Sequence, residues 1–248
     1  MSDAPVTPAA AAALILVRAN GRRPEILLLK RSPAARFMPN AYVFPGGAVD
    51  REDATDDLYG LCAGLSDVDA SERLDLPGGG LRFFVAAVRE SFEECGLLYV
   101  YDAGGRMPNL AAWEAGRLRE IRAALNGGRS GLAALCKEHA WRPAVDRLTY
   151  FSHWITPAAM KRRFDTRFFI ARAPEYQIAS LAGDEMSDLI WTQAKDALAN
   201  FAAGRLQLMF PTRTLLGEIA AYDEVDALLD FAQRPRRIMP IMPSMGEL

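Results

Sequence analysis

Four charged side chains fall within six positions at Arg89-Glu90-Ser91-Phe92-Glu93-Glu94, inside the otherwise mostly apolar stretch Phe83–Leu98 (FFVAAVRESFEECGLL). At about 100° per residue, this stretch reads as a helix with Val85, Val88, Phe92 and Cys95 on one face and Glu90, Glu93 and Glu94 together on the opposite one. The helix is expected to bury its apolar face and expose the acidic one. A solvated face usually alternates sign, whereas Glu90 and Glu94 are like charges at i,i+4, which destabilises a helix unless something neutralises them. A hard divalent cation would do so. Carboxylates at i, i+3 and i+4 suit Mg²⁺ or Mn²⁺, ions that retain water and are shared with substrate phosphates. Arg89, four residues before Glu93, is placed to orient it, and Gly96 offers a C-cap.

Upstream, Phe44-Pro45-Gly46-Gly47 interrupts an apolar run, and glycines there would let the backbone approach a metal site closely. The segment Arg89–Leu97 resembles the R-E-x-x-E-E-x-G-U half of the Nudix box, the signature of hydrolases that cleave nucleoside diphosphates linked to another moiety. Phe44–Asp53 (FPGGAVDRED) resembles the other half, with Gly47 in place and Asp53 where the family has glutamate. About 28 residues are inserted between the halves. A box split in this way is similar to the peroxisomal coenzyme A diphosphatase branch. Leu27–Gly47 also resembles the coenzyme A motif LLTxR[SA]xxxRxxxGxxxFPGG: Arg31, Ser32, Arg36 and the closing Phe-Pro-Gly-Gly are in register, while Leu29 and Asn40 replace a threonine and a glycine. Asparagine tolerates the left-handed conformation that glycine would adopt.

The resemblance implies an α+β protein, an α/β/α sandwich with a mixed sheet and extra helical insertions, that takes Mg²⁺ or Mn²⁺. It implies Glu90, Glu93 and Glu94 as metal ligands, with Asp53 either a ligand through water or the residue that holds the loop to the helix. Arg89, Glu93 and Glu94 would be catalytic. A further acid from a later loop completes the family's site, and Glu185, just before a predicted strand, is the candidate. Arg31 and Arg36 would hold phosphates outside the metal cluster, with Gly46 and Gly47 at the substrate. The implied reaction cuts coenzyme A or acyl-coenzyme A into 3′,5′-ADP and (acyl-)4′-phosphopantetheine. Two other readings stand beside it: hydrolysis of NADH, ADP-ribose or a related nucleotide, and non-catalytic nucleotide sensing.

The elements that must position these residues are legible in outline. Ala11–Arg18 and Glu25–Arg31 read as strands joined at Asn20-Gly21, and Ala41–Phe44 as a short strand. The insertion, about 54–81, is expected to be a surface excursion with one helix over Thr55–Leu65. Tyr99–Tyr101, Leu148–Ile155, Arg167–Arg172 and Glu185–Trp191 read as strands. Extra helices are expected over Asn109–Leu125 and Ser130–His139, and the C-terminal third reads as three helices, Gln193–Ala203, Thr212–Ala221 and Val225–Phe231. The whole chain, 1–248, is expected to form one domain. His153, on an aromatic strand, is expected to be packed or hydrogen-bonded rather than catalytic, and Cys95 an inert buried thiol.

Of the 248 residues, 50% are hydrophobic, enough for a sizeable core. The net charge of −2 provides no global field for nucleic acid or a membrane surface, so phosphate recognition must be local. Three cysteines without a CxxC pair and two histidines suggest neither disulfides nor a zinc site. They fit a reducing, cytoplasmic setting. Met245–Leu248 is not the peroxisomal Ser-Lys-Leu address, so the compartment of the resembled branch is not carried over. The expected partner is a small nucleoside diphosphate derivative. The proline- and methionine-rich tail from Arg234 is expected to pack on a second subunit, giving a homodimer.

Overall fold

The structure, a computed structural model, describes residues 6–35 and 38–246. β1 (Ala9–Asn20) and β2 (Arg23–Arg31) form the opening hairpin. Asn20 still pairs with Arg23, so the loop is Gly21-Arg22, one residue later than expected, with Gly21 at φ 62° supplying the left-handed turn. β3 (Tyr42–Val43) and β4 (Gly46–Ala48) follow, then a 3₁₀ turn at Arg51–Ala54. The inserted segment contributes α1 (Asp56–Tyr59) and α2 (Asp67–Arg73) and no strand. The helix expected over Thr55–Leu65 stops at Tyr59, and a second begins where Ser66 and Asp69 form a capping box.

α3 (Leu81–Cys95) is the helix built from the charged stretch, and Gly96 ends it at φ 75°. β5 (Val100–Tyr101) pairs not with the main sheet but with β6 (Arg142–Pro143), around α4 (Ala115–Asn126) and α5 (Leu132–Glu138). β7 (Thr149–Ile155), β8 (Phe164–Arg172) and β9 (Met186–Gln193) return to the sheet. The chain closes with α6 (Ala194–Ala202), α7 (Phe210–Ile219) and α8 (Val225–Gln233).

The main sheet runs β3-β2-β1-β8-β7, with β4 on β1 and β9 on β2. It is mixed, because β1 and β8 run parallel while the other pairs are antiparallel. Successive β1 side chains point to opposite faces. Leu14 and Leu16 pack with Phe84, Val88 and Phe92 of α3, whereas Ile15 and Val17 pack with Leu215, Leu216 and Leu228 of α7 and α8. Helices thus cover both faces, the α/β/α sandwich that the resemblance implies. Among the described residues no helix is long and apolar enough to cross a membrane.

The tail returns along the β7 edge. Ile155 N–H donates to the Ile241 carbonyl at 2.9 Å, and Arg236 Nη2 donates to the Phe151 carbonyl at 2.7 Å.

Candidate active site

The acidic face of α3 is covered rather than exposed, contrary to the amphipathic expectation. The cover is the turn that brings β4 onto β1. Gly46 N–H donates to Glu94 Oε2 at 2.8 Å, and a Cβ on Gly46 would stand 2.4 Å from the Ala12 carbonyl oxygen. A Cβ on Gly47 would stand 2.3 Å from Glu90 Oε1. Both positions need glycine because the loop is pressed against β1 on one side and against the carboxylates on the other. Burial raises the Glu94 carboxyl well above its ordinary pKa, and the neighbouring Glu90 charge raises it further, against the Gly46 N–H. Burial likewise pushes Glu90 up to about 7, with Arg89 opposing.

Arg89 is the hub behind this surface. Nε and Nη2 donate to the two Asp53 carboxylate oxygens, each at 2.9 Å, and Nη2 also donates to the Ala48 carbonyl at 2.9 Å. Nη1 donates to Glu90 Oε1 at 2.9 Å and Glu93 Oε2 at 3.1 Å. Burial disfavours the guanidinium charge, but Asp53, Glu90 and Glu93 together hold it more firmly protonated than usual. Asp53, 1% exposed, also accepts Asp50 N–H at 2.8 Å. It is therefore the joint between the loop and the helix. Arg122 adds a support from α4 that the sequence did not suggest: Nη2 donates to the Glu93 carbonyl at 3.1 Å and Nη1 to Ser180 Oγ at 3.1 Å.

A cavity of about 430 Å³ opens in front of the glutamates. It brings together Arg31, Gly46, Gly47, Glu90, Glu94 and Glu185. Arg89, Glu93 and Asp53 stand behind it, outside its lining. Arg36 lies outside the described residues. Asn40 takes the left-handed conformation, φ 63°, that suits the glycine of the motif. The Arg31 charge pulls the Glu94 carboxyl down while Glu185, exposed at the rim, pushes it up. The far wall, with Trp154, Phe164, Thr166, Phe168 and the start of α7, was not anticipated. Its signal was present in β8, where Phe164, Thr166 and Phe168 alternate onto one face. His153 Nε2 lies 2.5 Å from Asp165 Oδ1, and the buried Cys95 thiol is pushed up to about 12, so both are bonded or inert as expected.

Among the described residues, no three Asp, Glu, His or Cys side chains stand close enough to enclose an ion. The donor chemistry fits a hard cation all the same: half-buried Glu90 and buried Glu94 are neighbouring like charges whose ionised forms are disfavoured, and both line the cavity. An ion drawn to oxygen ligands would relieve that repulsion.

This layered sheet with a glycine turn clamped on an acidic helix is the Nudix fold. The crystal structure of a NUDIX hydrolase from Alicyclobacillus acidocaldarius superposes with a TM-score of 0.75 at 26% identity, covering 91% of this chain and 96% of the other. The acyl-coenzyme A diphosphatase NUDT19 of Homo sapiens is 30% identical over 222 residues, which are 75% of this chain and 58% of the relative. That of Xenopus laevis is 27% identical over 237 residues, 84% and 62%. The chain thus spans about three fifths of the length of these two relatives. The family profile of the NUDT19 Nudix domain matches residues 66–214, and the chain belongs to that family.

Proposed function

We propose that this protein is a divalent-metal-dependent hydrolase that cleaves the diphosphate of coenzyme A or acyl-coenzyme A, giving 3′,5′-ADP and (acyl-)4′-phosphopantetheine. The observation that carries the proposal is the pair of carboxylates, half-buried Glu90 and buried Glu94, packed against Gly47 and Gly46 and lining a cavity of about 430 Å³. The named activity of the NUDT19 relatives supports the substrate choice.

Glu90, Glu93 and Glu94 would hold Mg²⁺ or Mn²⁺, which neutralises diphosphate charge and lowers the pKa of bound water. Arg89 fixes Glu90 and Glu93 in place, and Asp53 fixes Arg89 to the loop. The Gly46 N–H orients Glu94. Arg31, in the cavity beside Glu94, presents its fork to the diphosphate oxygens, and Arg36 supplies the second arginine of the motif. Glu185 at the rim is the candidate proton acceptor for the attacking water. The free cysteines Cys62, Cys95 and Cys136 support a cytoplasmic location. Met239, Ile241, Met242 and Met245, exposed on the tail, support a homodimer, which light scattering on the purified protein tests.

Incubation of the protein and Mg²⁺ or Mn²⁺ with coenzyme A, acyl-coenzyme A, NADH and ADP-ribose, with products resolved by chromatography, tests the assignment. Preference for a coenzyme A substrate is expected, whereas a preference for NADH or ADP-ribose moves the assignment to another Nudix substrate.

A further inference from the structure

The cavity lining outside α3 has a polarity of its own. α7 begins on it, with Met209, Pro211 and Thr212 all lining the cavity. No side chain caps this helix start, because the N-cap position is Met209. Pro211 has no N–H and the Arg213 N–H donates to the Met209 carbonyl at 2.9 Å, so of the first turn only the Phe210 and Thr212 N–H groups are left for an occupant of the cavity. Thr212 is 3% exposed, and its hydroxyl makes no hydrogen bond among the described residues. Thr212 lines the cavity, so a ligand there can complete its hydroxyl. Arg162 lines the same cavity, its guanidinium carbon 5.1 Å from the centre of the Phe164 ring and bridged to no carboxylate among the described residues. The cavity lining thus combines the α3 carboxylates with a separate set of donors, Thr212 at the start of α7 and the Arg162 cation. Trp154 and Phe168 lie on its apolar wall.

We infer that this donor set at the start of α7 is a second oxyanion site, which takes a phosphate monoester carried by the substrate away from its diphosphate. Thr212, the first turn of α7 and Arg162 are its donors. The inference rests on the hydrolase reading for the identity of the substrate, while the binding it predicts needs no hydrolysis.

Titration calorimetry of the metal-free protein with adenosine 3′,5′-bisphosphate and adenosine 5′-monophosphate tests it. The wild type should bind the bisphosphate about tenfold or more tightly, the ratio expected for charge-assisted hydrogen bonds. Arg162→Ala and Thr212→Val should each narrow that ratio at least threefold, and Thr212→Ser should preserve it. Equal affinities in the wild type, or a ratio that survives both substitutions, would overturn the inference. Arg162 is exposed, so its alanine variant decides the matter alone if the variant at buried Thr212 fails to fold. Coenzyme A hydrolysis is assayed separately. Loss of the hydrolase reading with the phosphate preference intact leaves the oxyanion site standing, and hydrolysis without the preference removes the site alone.

Discussion

Substitution of Gly47 by alanine isolates the coupling between the glycine turn and the carboxylates. The added Cβ would stand 2.3 Å from Glu90 Oε1 and 2.6 Å from its carboxyl carbon, where ordinary contact begins near 3.4 Å. Glu90 must retreat by about 1 Å, and its retreat is obstructed because Oε1 is held by Arg89, itself fixed to both Asp53 oxygens and the Ala48 carbonyl. A displacement of about 1 Å at a positioned catalytic group costs on the order of 10²-fold, about 2.7 kcal/mol of barrier. Gly47 is not among the left-handed glycines, so backbone strain does not confound the change. Gly46→Ala differs, since its Cβ would meet the Ala12 backbone at 2.4 Å, and that variant should lose thermal stability as well as activity. The assay is kcat/KM on coenzyme A across a Mg²⁺ titration, with Tm measured beside it. Gly47→Ala should weaken apparent metal affinity and turnover with Tm nearly unchanged. Turnover within threefold of wild type at an unchanged metal requirement would refute the role given to the turn.

Glu93→Gln and Glu94→Gln should each lower kcat by about 10²-fold or more with the fold intact, and Glu185→Gln by less; steady-state kinetics with circular dichroism distinguishes these from unfolding. Arg31→Ala should raise KM by a factor equivalent to about 1.5–3 kcal/mol with a smaller change in kcat, measured on coenzyme A. Burial would raise the Asp165 carboxyl, but His153 and Arg167 outweigh it and hold the group down at about 2, below the ordinary 3.8. Its stabilising contribution is therefore complete above the ordinary value and fades as pH falls toward 2, so Asp165→Asn should flatten that acid limb in urea titrations by at most about 2 kcal/mol. An unchanged limb would show that the pair contributes nothing to acid stability.

The parts that sequence reasoning found were those written locally. Alternating apolar residues with Asn20-Gly21 marked the hairpin, and the charge clustering around Glu90 marked α3. β4 escaped because Gly46-Gly47-Ala48 has no strand propensity of its own and is held by pairing to Ala11–Ala13. α2 was missed because its capping box uses Asp69, not the commoner glutamate, and follows a glycine break. The burial of the acidic face was illegible for a different reason. Helical periodicity reports which side chains share a face, whereas the cover on that face comes from a turn more than forty positions upstream. The far cavity wall joins β7, β8, α7 and the tail, and only the fold relates them.

The Asp53–Arg89 pair joins residues 36 positions apart, where the uninterrupted box joins them across eight. Loop-closure entropy grows only as the logarithm of length, so this longer excursion raises the cost of bringing the two halves together by about 1.3 kcal/mol. Once the loop has closed, removing either partner of this buried, bidentate pair should cost about 3–5 kcal/mol, because the other charge would be left buried and unpaired. Assembly of the site then becomes a long-range folding event. Neither half can order its carboxylates until the excursion has closed, and competence for metal binding should appear with the native state rather than in a partly folded helix.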